Sequence, residues 1–145
     1  MLTRTKFRRA RKADTPFIID LLSANDLVCQ GLDWSDIGDT WWVAVHKDEI
    51  VGCVQVLFGK PLGVVNFLAV EPKFHRSGVG VQLIKTAEIL LSVADCDGYM
   101  AGTSTEAIIK RSKDLGLTSL GEVTIFVKRV FRYGKTDSYK NNYKH

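Results

Sequence analysis

The run Val64-Val65-Asn66-Phe67-Leu68-Ala69-Val70-Glu71-Pro72-Lys73-Phe74-His75-Arg76-Ser77-Gly78-Val79-Gly80-Val81-Gln82-Leu83 decides how this chain folds. Residues 64–70 read as a buried strand that ends in Glu71-Pro72. A short loop, 73–77, follows, and Gly78-Val79-Gly80 opens a helix over 78–92. That helix carries Val81, Ile84, Ala87 and Leu91 on one face and Lys85 and Glu88 opposite. Together these parts make an anion cradle. Glycines let the backbone turn tightly and approach a ligand, and a helix N-terminus offers free N–H groups and a partial positive charge. Arg76 adds a mobile cation, so a phosphate or pyrophosphate is the expected guest.

Working outward, the chain alternates strands and helices. Residues 5–9 form a candidate strand; Asp14 is the expected N-cap of a helix opened by Thr15-Pro16, with Phe17, Ile18, Leu21 and Leu22 as its apolar face. Residues 25–40 suggest a second short helix and a loop. Residues 41–46 and 50–58 are β-rich runs around the hairpin signal Lys47-Asp48-Glu49. Another turn, 59–63, leads into the strand 64–70. After the helix at 78–92 come a strand at 98–103, a helix at 105–115 ending at Gly116, and strands at 123–130 and 131–135. The fold class is α/β (α+β): a single domain over 1–135 with a mixed central sheet of about six to seven strands and about four helices. A polar tail, 136–145, follows.

The 145 residues, 46% hydrophobic and 25% charged, suit one globular domain and exclude collagen-like or wholly disordered readings. Cys29, Cys53 and Cys96 are three cysteines without C-x-x-C spacing, which argues against a disulfide framework or a zinc cluster and predicts no metal and a cytoplasmic setting. Cys53 lies in an apolar run and reads as core. No secretory signal is visible, and the apolar region 50–70 is broken by Gly59-Lys60-Pro61, so no membrane span is expected. Charge is uneven. Residues 1–12 hold six basic and no acidic residues, and 125–145 hold six basic and one acidic. The middle holds 8 basic and 15 acidic, a net charge of −7. Basic ends could meet a polyanion such as nucleic acid; equally, they protect edge strands.

Three loops compete for the cradle. A P-loop needs Gly-Lys-Ser/Thr, which is absent; a dinucleotide loop needs a third glycine where Leu83 stands. The third is carried by residues 68–83, which closely resemble the coenzyme A motif of GNAT superfamily N-acetyltransferases, [Gln/Arg]-x-x-Gly-x-[Gly/Ala] at the head of a helix. Phe7-Arg8-Arg9-Ala10 with Asp14 is similar to the family's opening strand and helix. Asp114-Leu115-Gly116-Leu117 is similar to its "Leu-Gly-Phe" turn. Order and spacing match over most of residues 5–130.

The resemblance implies an acetyl-CoA-dependent N-acetyltransferase whose acceptor is a primary amine of a small molecule, peptide or protein. The amine would attack the thioester directly. Backbone groups of Leu68, Ala69 and Val70 would line the pantetheine arm, with the Val70 N–H polarising the acetyl carbonyl. Amides from Arg76, Ser77, Gly78, Val79, Gly80 and Val81 would hold the pyrophosphate, with His75 beside them in the cofactor site. His75 occupies the Gln/Arg position, with Arg76 displaced by one. Thr105 falls where the family often has a cofactor-contacting asparagine. Ser112 falls where a tyrosine often protonates the leaving thiolate, and serine is a much weaker acid. Tyr99, Tyr133, Tyr139 and Tyr143 are other hydroxyl candidates. As general base the chain offers His46, Glu122, the aspartates of 25–40 or a water chain.

In the resembled fold the segment before the hairpin shapes the acceptor pocket. Asp33, Trp34 and Trp42 are the expected acceptor contacts, since carboxylates beside indole rings suit a cationic amine. The competing role for these residues is helix capping and core filling. Two alternatives stand beside the enzyme: a non-catalytic CoA-binding or partner-binding protein of the same fold, and a nucleic-acid-associated transferase. Pairing of edge strands or tail exchange would make a homodimer.

Overall fold

A computed structural model describes residues 4–27 and 31–101, together with Asp114 and Gly116. Apart from those last two, the described residues lie in the first of two units into which the chain divides, Met1–Ile109. Five strands form one sheet in sequence order: β1 (Thr5–Arg9), β2 (Trp41–His46), β3 (Glu49–Leu57), β4 (Leu62–Val70) and β5 (Gly98–Ala101). Neighbours from β1 to β4 run antiparallel, and β4 with β5 is parallel. The helices are α1 (Thr15–Ala24), α2 (Ile37–Thr40) and α3 (Val79–Val93), with 3-10 turns at Lys12–Asp14 and Pro72–Phe74. This is the expected mixed α/β architecture. The expected strands at 123–130 and 131–135 and the tail lie outside the described residues. Of the helix expected at 105–115 and its end, only Asp114, which is helical, and Gly116, with φ +87°, are described.

The sheet is covered on both faces. Ile18, Leu21 and Leu22 of α1 and Ile37 of α2 pack with Trp41, Val43, Cys53 and Ala69. On the other face Val79, Leu83, Ala87 and Leu91 of α3 pack with Trp42, Ala44, Val54, Val56, Val65 and Val70. Successive β2 residues therefore enter opposite cores, which is why 41–45 reads as an unbroken apolar run rather than an alternating one. Lys47 and Asp48 both take positive φ, 49° and 64°, giving the tight turn whose twist suits a β2–β3 hairpin.

Two features set α3 and β4 where they are. A Cβ on Gly52 of β3 would lie 2.9 Å from the Leu83 side chain and 3.1 Å from that of Val79, so the first turns of α3 need a bare backbone beneath them. In β4, Cys53 pairs with Ala69 but Gln55 pairs with Asn66, which puts one extra residue into β4. Phe67 lies at this bulge with φ +50°. Val65 joins the α3-side core and Phe67 packs on the α1 side, although a regular strand would turn both the same way. Among the described residues, pairing with β5 covers Leu62–Val65.

The N-terminal corner differs from the expected cap. Asp14 does stand at the N-cap of α1, but its carboxylate makes no cap bond there. It accepts instead from Arg8 Nη1 and Nη2 at 2.7 and 3.1 Å and from the Arg11 N–H at 2.7 Å. The side chain is spent tying β1 to the turn before α1. The Arg8 hydrogen bonds hold the Asp14 carboxyl below its ordinary range, against the opposing effect of burial.

Two outcomes follow for stability. Gly78 takes φ +95°, and a Cβ added there would meet nothing within 4 Å, so the strain of a side chain at this position is in the backbone alone. Gly78→Ala should cost about 1–2 kcal/mol and Gly78→Asn less, because asparagine tolerates the left-handed region; urea midpoints at unchanged slope measure both. Asp14→Asn should cost about 1–3 kcal/mol at neutral pH. A depressed folded-state pKa stabilises above the unfolded value of about 3.9 and is lost as pH falls through the folded value. The wild-type advantage should therefore be flat from pH 7 to 5 and shrink on acidification toward pH 3, as followed by urea unfolding across that range.

Candidate functional site: the open edge of β4 and the head of α3

The end of β4 turns polar backbone groups away from its β3 neighbour. Glu71 N–H donates to Val51 C=O at 2.8 Å, so these two form a hydrogen-bonded pair. The adjacent pair, Val70 with Gly52, must then point its N–H and C=O outward. For Val70 that is the β5-side edge, where the described pairing with β5 covers Leu62–Val65. Ala69 faces the α1 side and Leu68 the α3 side of the sheet.

Next to this edge lies the loop. Phe74 N–H donates to Glu71 C=O at 2.8 Å and His75 N–H to Pro72 C=O at 3.1 Å, closing the 3-10 turn. Ser77 gives both its N–H and its hydroxyl to Phe74 C=O, so its amide is turned inward. Arg76 at φ +66° and Gly78 at φ +95° then reverse the chain into α3. The first N–H of α3 to bond back is that of Gln82, to Gly78 C=O at 3.0 Å. Those of Gly80 and Val81 precede it and meet no acceptor among the described residues. The Val79 N–H reaches only the Ser77 hydroxyl, at 3.5 Å. Gly80 would bring a Cβ to 3.7 Å from Val70 Cγ2, so the head of α3 sits directly beside the end of β4. Orphan amides, the Arg76 cation and a glycine turn are a donor set that fits a pyrophosphate. The sequence-expected residues 68–70 and 75–81 are brought together at one place.

Two side chains reach into this place. His75 Nε2 lies 2.8 Å from Val70 C=O, and Asn25 Nδ2, just past the end of α1, lies 3.0 Å from the same oxygen and 2.8 Å from Leu21 C=O. Sequence reading placed His75 in the cradle but not at this carbonyl, and it missed Asn25. Nothing in local spacing links a residue after α1 to one 45 positions on.

The remaining candidates are scattered. Trp42 is in the α3-side core, with Arg9 over its ring at 5.2 Å. Trp34 is on the opposite face, 5.1 Å from the Trp41 ring. Asp33 accepts from the Ser35 N–H and hydroxyl in a local turn. The structure does not gather Asp33, Trp34 and Trp42 into one site. An open groove of about 660 Å³ lies between Lys12, Pro16, Ile19, Asp20 and Trp34, at the N-terminal half of α1. Val70 is met by the other end of that helix. His46 contacts the Thr5 hydroxyl at 3.2 Å and sits edge-on to Phe74. The Tyr99 hydroxyl donates to Glu88 at 3.3 Å, and burial followed by the Glu88 charge pushes its pKa up to about 12, making it a poorer acid than a free phenol. Burial raises the Cys53 thiol to about 12 as well, consistent with core packing. Thr105, Ser112, Glu122, Tyr133, Tyr139 and Tyr143 lie outside the described residues. Among the described residues no His, Cys, Asp or Glu group could hold a metal, and no helix is long and apolar enough to cross a membrane.

Comparison with known proteins agrees with this geometry. A family model described as acetyltransferase (GNAT) domain matches residues 38–115, more than half of the chain. No curated protein sequence matches. Several solved structures share the fold. An aminoglycoside acetyltransferase from an uncultured soil metagenomic sample has a TM-score of 0.66 at 18% identity, covering 88% of this chain and 97% of that one. Aminoglycoside N-acetyltransferase AAC(6')-Iy in complex with CoA has a TM-score of 0.69 at 18% identity, covering 86% and 100%. Rv2747 from Mycobacterium tuberculosis, also in complex with CoA, has a TM-score of 0.67 at 18% identity, covering 97% and 82%. With the cradle, the open strand edge and the family match in agreement, the chain belongs to the GNAT acetyltransferase family.

Proposed function

We propose that the protein is an acetyl-CoA-dependent N-acetyltransferase acting on a primary amine. The observation that carries this reading is the junction of two backbone sites at Val70: an outward-facing strand edge and, one side-chain contact away, the unbonded amides at the head of α3. An acyl-pantetheine arm needs the first and a pyrophosphate needs the second. Gly80, Val81 and Arg76 would hold the pyrophosphate, and the Val70 N–H would donate to the acetyl oxygen where negative charge develops. The neutral amine would form its bond to the acetyl carbon as the C–S bond breaks. A base or water chain would take the amine's proton. Ser112 would donate a hydrogen bond to the leaving thiolate.

A cationic acceptor suits the electrostatics. From Ala13 to His46 the chain has six aspartates (Asp14, Asp20, Asp26, Asp33, Asp36 and Asp39) and neither lysine nor arginine. Such a segment attracts an ammonium-bearing molecule and supports its approach as the charged form before deprotonation. Two of the structural neighbours act on aminoglycosides by name, so polyamine-like small molecules head the acceptors to be screened.

The test is thermal unfolding with and without acetyl-CoA. At a hundred times Kd, binding should add about 2.7 kcal/mol, a shift of several degrees. Gly80→Glu, which sets a carboxylate among the pyrophosphate amides, should unfold normally and lose the shift. An unshifted melting point in well-folded wild-type protein refutes the reading. Thiol release on adding amines would then separate an active transferase from a protein that only binds CoA.

A further inference from the structure

We infer that Asn25 and His75 are positioning residues that jointly fix the Val70 carbonyl and thereby the extended backbone at Val70, a role that rests on the acetyl-CoA reading above. Val70 C=O accepts two side-chain hydrogen bonds, from Asn25 Nδ2 at 3.0 Å and His75 Nε2 at 2.8 Å, and these come from different elements. The chemistry of the partners assigns the donors. A carbonyl only accepts, so His75 carries its proton on Nε2, and Asn25, which faces two carbonyl oxygens, points its amide nitrogen at both.

The arrangement matters because of where β4 stands at this point. Beyond the Phe67 bulge the strand has β3 on one side, and among the described residues it has no strand partner on the other. Among the described residues, ladder bonds hold this end of the strand from the β3 side. In extended backbone the N–H and C=O of one residue point the same way. The Val70 oxygen and N–H lie in adjacent peptide planes linked through the Val70 φ and ψ. Holding the oxygen from two directions, with Glu71 N–H bonded to Val51 C=O, therefore keeps that residue extended and with it the aim of the Val70 N–H, the donor proposed for the acetyl oxygen. An oxyanion donor stabilises charge only when its direction is set before the charge appears. Asn25 is itself held by Leu21 C=O in the last turn of α1, and His75 by its own N–H to Pro72 C=O, so neither donor hangs on a free tether. The exposed His75 ring thus acts on the strand edge, while the neighbouring amides of Gly80 and Val81 face the pyrophosphate.

The experiment is amide NMR of the full chain, titrated with CoA and with acetyl-CoA. In wild type both ligands should move the Gly80 and Val81 resonances, and acetyl-CoA alone should carry the Val70 amide proton further downfield. In Asn25→Asp, which keeps the shape but faces the carbonyl with oxygen, and in His75→Ala, that acetyl-dependent displacement of Val70 should be largely lost. In Asn25→Asp, CoA affinity should stay within about twofold, a change under 0.5 kcal/mol. His75→Gln, which retains a donor, should restore the displacement. Unchanged backbone spectra elsewhere separate this from misfolding, and if His75→Ala unfolds, the Asn25→Asp and His75→Gln pair decides. A Val70 displacement that is equal in wild type and variants overturns the positioning role while leaving the cofactor site standing. Wild type that shows no movement of Gly80 or Val81 with either ligand overturns the acetyl-CoA reading and this role with it.

Discussion

A phenylalanine with φ +50° in the middle of a sheet is the constraint on which the rest of the molecule depends. The left-handed region costs a residue of this kind on the order of 1–3 kcal/mol, so the surroundings must hold it there. They do so with aromatic packing. The Phe67 ring stacks on Trp41 at 5.8 Å and 27°, and Trp41 in turn carries Trp34 at 5.1 Å. Removing the extra residue would shift every later β4 side chain to the opposite face. Val70 would then point at α1 and Ala69 at α3, and the close seat of Gly80 against Val70 would be lost. The bulge therefore sets the phase of the strand and the position of the helix that follows.

Much of this was legible in residues 64–83. A strand, a stop, a glycine turn and an amphipathic helix are local events, and each leaves a local mark in residue type or period. The helix expected over 78–92 is observed at Val79–Val93, and the strand expected at 64–70 extends back to Leu62. The bulge was illegible for a definite reason. β4 is packed on both faces, so Val64-Val65-Asn66-Phe67-Leu68-Ala69-Val70 has no polar alternation whose break would reveal a change of phase. Asp14 shows a different failure. An acidic residue before Thr-Pro has the form of an N-cap, and it does stand at that position, but a guanidinium six residues earlier competes for the carboxylate and wins it.

The cofactor half of the proposed site is built from backbone, so an unusual side chain leaves its donors in place. His75 stands where the family has glutamine or arginine, yet the unbonded amides of Gly80 and Val81 owe nothing to that side chain. What they need is the turn that frees them, and Gly78 at φ +95° supplies it. The acceptor half has no comparable local signature. Trp34 and Trp42, expected together from the sequence, show how residues eight apart can serve opposite faces of one sheet.

Helix direction supplies the remaining order. The C-terminal end of α1 reaches Val70 through Asn25, and the N-terminal end of α3 reaches it through Gly80. A helix carries about half a positive charge at its N-terminus and half a negative charge at its C-terminus. Val70 thus lies between a positive helix end and a negative one, and the flanking residues extend each sign. Lys73 and Arg76 lie on the α3 side; Asp20 and Asp26 lie on or just after α1. An anionic group is favoured on one side of the strand end and a cationic group on the other. The proposed transfer of an acyl group from a pyrophosphate-bearing thioester to an amine would use that division of charge, which the two helix directions set up from the backbone.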